Sequence, residues 1–368
     1  MTFPGVQREY PSSVRGYLDT PSMGLPPKSA VRALREALAA WAGGQARFED
    51  WERDVEACRR EFAGLLGVPA ETVGLGASIV PAAAALAQSL AGSGGMVLAH
   101  RSEFRSLLLP FLSRFGESRI RWVDGPYAVE TFVAALGRDV AVVIVSSASS
   151  ADGARPDLQQ LASACEATGT KVVVDATQTL GTARLGAWPD RLTAVLAAGY
   201  KGLLGPRGVA YAYIRPDVEV VASAPSPYGM ADTPAVGPYG PPLLPKPGAP
   251  GLDQSPAWLS WVGALPALRF IRKTSDSQRE DHTTGLGTMF SRGLAHQGMT
   301  AQPTDLPSPI VSVEVSEPKR VLAALADSGI RVALRRGRLR FGFHVYNSVE
   351  DVENALAALA AAGIRSAL

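Results

Sequence analysis

An acidic residue and a lysine occupy two loops where an α/β enzyme would carry out chemistry. The apolar run at residues 172–174 ends in Asp175, with Gln178 shortly beyond it, and Lys201 follows on a later loop. A carboxylate at the carboxyl end of a buried parallel strand lies where open α/β sheets bind their ligands. Alone, Asp175 would be an acid that caps a turn and Lys201 a surface lysine. Together they indicate a catalytic pair.

The pair suits one cofactor, pyridoxal 5′-phosphate. This cofactor needs a lysine to hold its aldehyde as a Schiff base and an aspartate to keep its ring nitrogen protonated. Gly199 and Gly202 flank the lysine, and glycines let the backbone pack closely around a flat ring. The pattern therefore predicts that Lys201 binds the cofactor and that Asp175 faces the ring nitrogen.

Two blocks of the chain resemble the class V aminotransferase-like enzymes, which belong to the fold type I pyridoxal-phosphate group. The blocks are residues 175–181 and 199–208, and the resemblance extends over nearly the whole chain. This family includes cysteine desulfurases, selenocysteine lyases, kynureninases and isopenicillin N epimerase-like proteins. The resemblance implies an amino-acid substrate and a homodimer with its active site at the subunit interface. It leaves the reaction open, because one scaffold supports many reactions.

The composition gives no indication of a nucleic-acid, membrane or metal partner. A net charge of +2 over 368 residues gives no reason to expect nucleic acid or an acidic membrane as a partner. The uncharged stretch between Thr72 and Ala99 is broken by glycines and a proline, so it predicts buried core, not a transmembrane span. Cys58 and Cys165 have no CxxC partner, and the four histidines lack metal-ligand spacing. With no signal-like N-terminus, we expect a cytoplasmic protein without a metal.

Apolar runs alternate with helical segments along the chain. The predicted strands are residues 97–99, 119–123, 140–145, 171–174, 193–197 and 209–214. Such alternation predicts an α/β fold with a mostly parallel, helix-covered sheet and a smaller α+β C-terminal domain. We expect an N-terminal arm (1–20) packing with the small domain, a large cofactor-binding domain (21–255) and the small domain (256–368). The last contains helices over 257–272 and 349–361, and it follows a long irregular segment over 223–256.

The phosphate and the ring would be held by loops at the ends of strands. Residues 74–78 precede an Ala-rich helix, an arrangement that suits phosphate but equally a plain strand-to-helix turn. The resemblance favours Ala77 and Ser78 as phosphate contacts. It also implies that Tyr200 supplies a phosphate hydroxyl, with further donors from a partner subunit.

The resemblance assigns three more side chains to the ring. Phe104 would cover one face of the pyridine, a role in which it can stack but cannot titrate; on its own it would be core. Ser150 stands where many relatives have an asparagine that contacts the ring hydroxyl or the substrate carboxylate, and its hydroxyl is shorter than that amide. Gln178 would donate to the ring oxygen and tune the pKa of the imine nitrogen.

Arg340 is the candidate for binding the substrate carboxylate, because a planar guanidinium binds a carboxylate through two hydrogen bonds. Alternation along residues 338–344 places Leu339, Phe341 and Phe343 on the core face and Arg340, Gly342 and His344 on the other. Gly342 would leave room beside the guanidinium. A salt-bridged surface arginine is the plain alternative, and the resemblance favours the carboxylate.

The leading hypothesis for the reaction is β-elimination with C–S bond cleavage on an S-substituted cysteine, in specialised metabolism such as antibiotic biosynthesis. The hypothesis rests on resemblance to the isopenicillin N epimerase-like and selenocysteine-lyase-like branch, including lincosamide-pathway enzymes that process S-cysteinyl intermediates. Residues 300–316 hold no cysteine, so persulfide transfer is not expected. The alternatives are a decarboxylating oxidative deaminase, an aminotransferase or epimerase, and a catalytically silent scaffold.

Overall fold

Seven strands form the main sheet of the computed structural model, which describes residues 6–11, 14–231 and 239–363. They are β1 (Val73–Gly76), β2 (Met96–His100), β3 (Ile120–Val123), β4 (Val140–Ser146), β5 (Lys171–Asp175), β6 (Ala194–Ala198) and β7 (Ala210–Ile214). Their order is β1-β7-β6-β5-β4-β2-β3. Strands β3, β2, β4, β5 and β6 are parallel neighbours, and β7 is antiparallel to both β6 and β1. The predicted mostly parallel sheet is confirmed.

Helices cover both faces of this sheet. The helices are α1 (Val6–Glu9), α2 (Lys28–Ala42), α3 (Phe48–Leu66), α4 (Val80–Leu90), α5 (Arg105–Phe115), α6 (Val129–Ala134), α7 (Leu158–Thr168), α8 (Trp258–Ile271), α9 (Asp276–His296), α10 (Pro318–Asp327) and α11 (Val349–Ala361). Side chains of α3, α6, α7 and α8 pack on one face, and those of α4 and α5 pack on the other. Along β5, Val172 and Val174 enter the first core and Val173 the second. A strand buried on both faces reads as the continuous apolar run seen in the sequence.

A second, antiparallel sheet of three strands builds the smaller α+β part. It consists of β8 (Ile310–Glu314), β9 (Ala333–Arg335) and β10 (Arg338–Gly342) in the order β8-β10-β9. Leu339, Phe341 and Phe343 are fully buried in its core, as strand alternation predicted. Helix α11 has the predicted limits, and its capping box joins Ser348 and Asp351.

The chain passes from the core of the main sheet to the core of the second sheet between α8 and α9. Helix α8, which follows the predicted domain limit at residue 256, places Trp261, Leu265 and Leu268 in the core of the main sheet. Helices α9 to α11 form the core of the second sheet. The limits of the two domains stay a prediction.

The segment from Gly16 to Gly24 contacts both parts of the molecule. Leu18 is buried in the second core, and its backbone N–H donates to the carbonyl of Arg331 at 2.9 Å. Gly24 N–H then donates to the carbonyl of Tyr200, next to Lys201, also at 2.9 Å. Residues 1–5 and 12–13 of the predicted arm lie outside the described residues.

The long Pro/Gly-rich segment returns to the main sheet at Asp253. Its described part holds two short 3₁₀ turns, Pro227–Gly229 and Ala249–Leu252, whereas residues 232–238 lie outside the description. Asp253 binds the buried guanidinium of Arg59 at 2.7 Å and the N–H of Leu75 at 2.9 Å. Across the described ranges, no helix combines the length and apolar character needed to span a bilayer.

Candidate active site

The loops that follow β1, β2, β4, β5 and β6 lie along one edge of the main sheet. The strand register shows this, because Gly76 and Ala198 both pair with Ala210, and Asp175 pairs with Ser146 and Leu196. Since β1 runs in the direction of β6, the carboxyl ends of all five strands face the same way. This edge carries the predicted residues Ala77, Ser78, Phe104, Ser150, Asp175, Gln178, Tyr200 and Lys201.

Asp175 ends β5 and is only 5% exposed. One carboxylate oxygen accepts a hydrogen bond from the N–H of Thr177 at 2.9 Å. The Thr177 hydroxyl accepts in turn from the N–H of Ala198 at 3.0 Å, which ties the ends of β5 and β6 together. Burial raises the pKa of the Asp175 carboxyl, while the Thr177 hydrogen bonds and the charge of Lys201 oppose the rise. Thr177 is thus a supporting residue that sequence reasoning missed.

Lys201 is a buried amine at the centre of this edge. Its Nζ lies 5.3 Å from the ring centroid of Phe104 and 5.8 Å from that of Tyr200. Burial lowers the pKa of Lys201 to about 8, assisted by the charge of Arg340 and opposed by that of Asp175. A lysine with such a pKa carries a substantial unprotonated fraction near neutral pH, as a nucleophile or base requires.

The glycines around Lys201 make close contacts with neighbouring chain segments, and their packing around a flat ring stays a prediction. A Cβ on Gly202 would lie 2.3 Å from the carbonyl oxygen of Leu180, and one on Gly24 would lie 2.1 Å from that of Lys201. Gly199 packs against Val209. The Gly202 carbonyl also lies 2.9 Å from Nε2 of His344, whose pKa burial lowers to about 3. A neutral His344 therefore donates to the lysine loop.

Arg340 reaches this edge from β10 and is 1% exposed. Its guanidinium donates to the Ser150 carbonyl and, at 3.0 Å, to the Ser22 hydroxyl, while Asp19 lies 3.9 Å away. Its Nε is buried and has no hydrogen-bond partner in the described chain. Burial lowers the pKa of Arg340 to about 10, so the guanidinium stays charged at neutral pH. The residue is therefore not the salt-bridged surface arginine of the plain alternative.

Gln178 and Ser150 lie beside Arg340. The Gln178 amide donates to the Ser150 hydroxyl at 3.2 Å and to the Pro21 carbonyl at 3.3 Å. Pro21 also fills the space beside Gly342 that the sequence assigned to the guanidinium, since a Cβ there would lie 2.2 Å from Pro21. The structure thus brings three predicted residues from distant parts of the chain into one cluster.

The remaining predicted residues are more exposed. Ala77 and Ser78 are exposed in the turn before α4, whose N-cap is Ile79. Phe104 is 42% exposed, and Tyr200 is half-buried with the Arg207 guanidinium 5.3 Å from its ring centroid. Their roles toward phosphate and ring stay predictions.

Sequence reasoning also missed a buried carboxylate beside Phe104. Glu103 accepts from the Tyr127 hydroxyl at 2.6 Å, from the Ser146 hydroxyl at 2.5 Å and N–H at 2.9 Å, and from the Phe104 N–H at 2.7 Å. Burial raises the pKa of Glu103. The network fixes the backbone of Phe104 relative to β4. An acid shortly after an apolar strand, next to an aromatic candidate, was the signal available in the sequence.

Comparison with known proteins identifies the family. Residues 16–355 match the class-V aminotransferase family, so the chain belongs to it. It is 22% identical over 322 residues to the uncharacterized aminotransferase YcbU of Bacillus subtilis (strain 168), covering 85% of each chain. The fold is similar to the apo structure of a cysteine desulfurase from Thermococcus onnurineus, with a TM-score of 0.81, 22% identity and 98% of each chain covered. It is also similar to the cystine C–S lyase C-DES in complex with its product cysteine persulfide, with a TM-score of 0.80, 18% identity and coverage of 94% of this chain and 97% of that one.

Family membership implies pyridoxal 5′-phosphate as the cofactor. The site fits this group, because it offers a buried amine beside an aromatic face and a buried acid on the adjacent strand end. A desolvated arginine, Arg340, lies beside them with a buried Nε that has no hydrogen-bond partner among the described residues.

Proposed function

We propose that the chain is a pyridoxal-phosphate-dependent lyase that cleaves the C–S bond of an S-substituted cysteine by β-elimination. The observation that carries the proposal is Lys201, a buried amine whose pKa is lowered to about 8 and whose neighbours include an acid and an arginine. A desolvated lysine of this kind can bind an aldehyde and then move a proton.

The cofactor-binding roles follow the edge of the sheet. Lys201 would hold the aldehyde, and Asp175 would bind the ring nitrogen. Phe104 would cover the ring, and Gln178 with Ser150 would bind its oxygen. A cationic ring nitrogen would lower the pKa of Asp175 that burial has raised, so the carboxylate form suits this role. Ala77, Ser78 and Tyr200 would hold the phosphate, together with groups from a partner subunit in a homodimer.

The bound cofactor supplies an electron sink that stabilises negative charge at the substrate α-carbon. Arg340 would bind the α-carboxylate and fix the α-carbon near Lys201. Lys201, released from the aldehyde by the incoming substrate amine, would remove the α-proton with its freed amine. The Cβ–S bond would then break with its electron pair leaving on sulfur. One water molecule is consumed overall, and the products are a thiol, pyruvate and ammonium.

The cysteines of the chain support release of the sulfur product over its transfer to the protein. Cys58 and Cys165 are its two cysteines, and both are buried in the core of the main sheet. Burial raises the pKa of both thiols, so neither is a ready nucleophile. The fold likeness to a cystine C–S lyase supports the same assignment. A role in specialised metabolism is part of this proposal.

The test is product analysis with the purified holoenzyme and a panel of S-substituted cysteines. Equal amounts of pyruvate, ammonia and thiol are expected. Lys201→Ala should lower the rate at least about 100-fold, because the proton-transfer group is lost. Lys273→Ala removes an exposed lysine and should leave the rate within twofold.

Other products would identify the alternatives. Carbon dioxide release with oxygen uptake would favour a decarboxylating oxidative deaminase, and an amino group passed to a 2-oxo acid would favour an aminotransferase. An inverted α-carbon with the C–S bond intact would favour an epimerase. If no substrate is consumed and Lys201→Ala changes nothing, the chain is a silent scaffold and the lyase proposal is wrong.

A further inference from the structure

Two arginines converge on one serine hydroxyl at the mouth of the site. Arg340 and Arg335 each donate an Nη2 hydrogen bond to the Ser22 hydroxyl, both at 3.0 Å. The two lone pairs of that oxygen are therefore engaged, and its proton remains available for a further acceptor. We call Ser22, Arg335 and Arg340 the two-arginine pocket.

The two-arginine pocket carries an excess of positive charge. Asp19 lies 3.9 Å from the Arg340 guanidinium. Within the described part of the chain, it is the one carboxylate in salt-bridge range of Arg335 or Arg340. Arg338, on the same strand as Arg340, shows the contrast, because it forms an ion pair with Glu314 at 2.9 Å. With one carboxylate and two guanidinium groups, one positive charge is unbalanced, and an added anion would neutralise it.

The pocket is held against the lysine loop. Gly24, two residues after Ser22, donates to the Tyr200 carbonyl, and a Cβ on it would lie 2.1 Å from the Lys201 carbonyl oxygen. Arg335, Arg340 and Arg207 all act on the charge state of Lys201 and lower its pKa. The field of a second cation, Arg335, therefore reaches the amine at which an amino-acid substrate would react.

We infer that the substrate carries a second anionic group on its side chain, bound by Arg335 and the Ser22 hydroxyl while Arg340 binds the α-carboxylate. The inference rests on the proposed function, and it narrows the S-substituent to one that bears an acid. Arg335 is exposed and Arg340 is buried, which suits an outer group on the substituent and an inner group on the α-carbon. Two fixed cations discriminate a dianion from a monoanion of the same shape.

The test compares S-carboxymethylcysteine with S-carbamoylmethylcysteine on the holoenzyme. The two compounds have nearly the same shape and differ by one charge. We expect kcat/KM to be about 10-fold higher for the acid, the range for one charge-assisted hydrogen bond at a partly exposed cation. Raising the ionic strength should reduce this preference, because Arg335 is exposed to solvent.

Two variants test whether Arg335 produces the preference for the acid over the amide. In Arg335→Gln the acid-to-amide ratio should fall to about two or below. Arg338→Gln removes the same charge from β10, the strand that bears Arg340, at a position where a carboxylate already neutralises it, and should keep the wild-type ratio. If both substrates lose activity equally in Arg335→Gln, both arginines bind the α-carboxylate and the inference is wrong.

A binding measurement separates this inference from the lyase proposal. Calorimetric titration of the holoenzyme with glutarate and with its monoamide needs no turnover. Tighter binding of glutarate, lost in Arg335→Gln, would support the two-arginine pocket even if no C–S bond is cleaved. Equal affinity for the two compounds would overturn it even if pyruvate is formed from other cysteine conjugates.

Discussion

At the scale of single residues, the chemistry depends on how burial changes charge. Lys201 and Asp175 are both buried, and burial lowers the pKa of the amine and raises that of the acid. Both shifts favour the neutral forms, and each residue opposes the shift of the other through its charge. The pair is therefore sensitive to any added cation or anion, including the ring nitrogen of the cofactor.

The rate at which the apoprotein captures pyridoxal phosphate should depend on the protonation of Lys201. The unprotonated amine is the nucleophile, so the rate should rise with pH through a midpoint at about 8 and level off above it. Stopped-flow absorbance across this range measures the midpoint. Arg340→Gln removes a cation that lowers the pKa, so its midpoint should move upward. A wild-type midpoint at the ordinary lysine value of 10.5 would contradict the assignment.

At the scale of elements, loops after the strands are joined to the second part of the molecule by a buried ion pair. Arg155, in the loop after β4, is 2% exposed and binds Glu280 of α9 at 3.2 Å. It also donates to the carbonyl of Pro307 at 2.6 Å, and Arg184 binds the same glutamate. Glu280 thus neutralises a guanidinium that water does not reach.

Glu280→Gln should destabilise the protein by about 3 kcal/mol, because a buried guanidinium loses its counter-charge. Glu314→Gln breaks the ion pair between Glu314 and Arg338, whose side chains are 56% and 34% exposed respectively. This variant should lose about 0.5 kcal/mol of unfolding free energy. Urea unfolding of both variants gives the comparison. Equal losses would show that the Arg155 pair does not hold the two parts together.

Sequence reasoning could predict site residues where a local pattern or the family resemblance marks a position. An apolar strand end marked Asp175, a glycine-flanked loop marked Lys201, and strand alternation together with the resemblance marked Arg340. Their chemical roles stay predictions. Ser22 and Thr177 carried no such signal, since small hydroxyl residues act through partners that the fold supplies. The Ser22–Arg340 contact spans 318 positions of the chain, and only the fold determines it.

At the scale of the whole molecule, exposed apolar side chains support the proposed homodimer. Tyr239 and Leu243, in the long irregular segment, are 86% and 66% exposed, and Phe104 is 42% exposed at the candidate site. Removing such side chains from water at a subunit interface would favour association. The chain has a mass of 38.6 kDa, so a dimer would have about twice this mass.

Leu243→Asp should shift the holoenzyme toward the monomer, because a charge would be buried at the interface. Sedimentation analysis across a range of concentrations measures the shift. Leu38→Asp alters a residue on α2 that is 48% exposed and should leave the mass unchanged. A wild-type protein that sediments as a monomer at all concentrations would contradict the homodimer.

The turn after Asp19 links the two sheets at the candidate site. Asp19 pairs with Gly342 of the small sheet, and Gly24, at the other end of the turn, donates to the carbonyl of Tyr200 in the loop that carries Lys201. Ser22 lies between these two attachments, so a single short stretch of backbone sets the separation between the groups proposed to bind anions and the reactive amine.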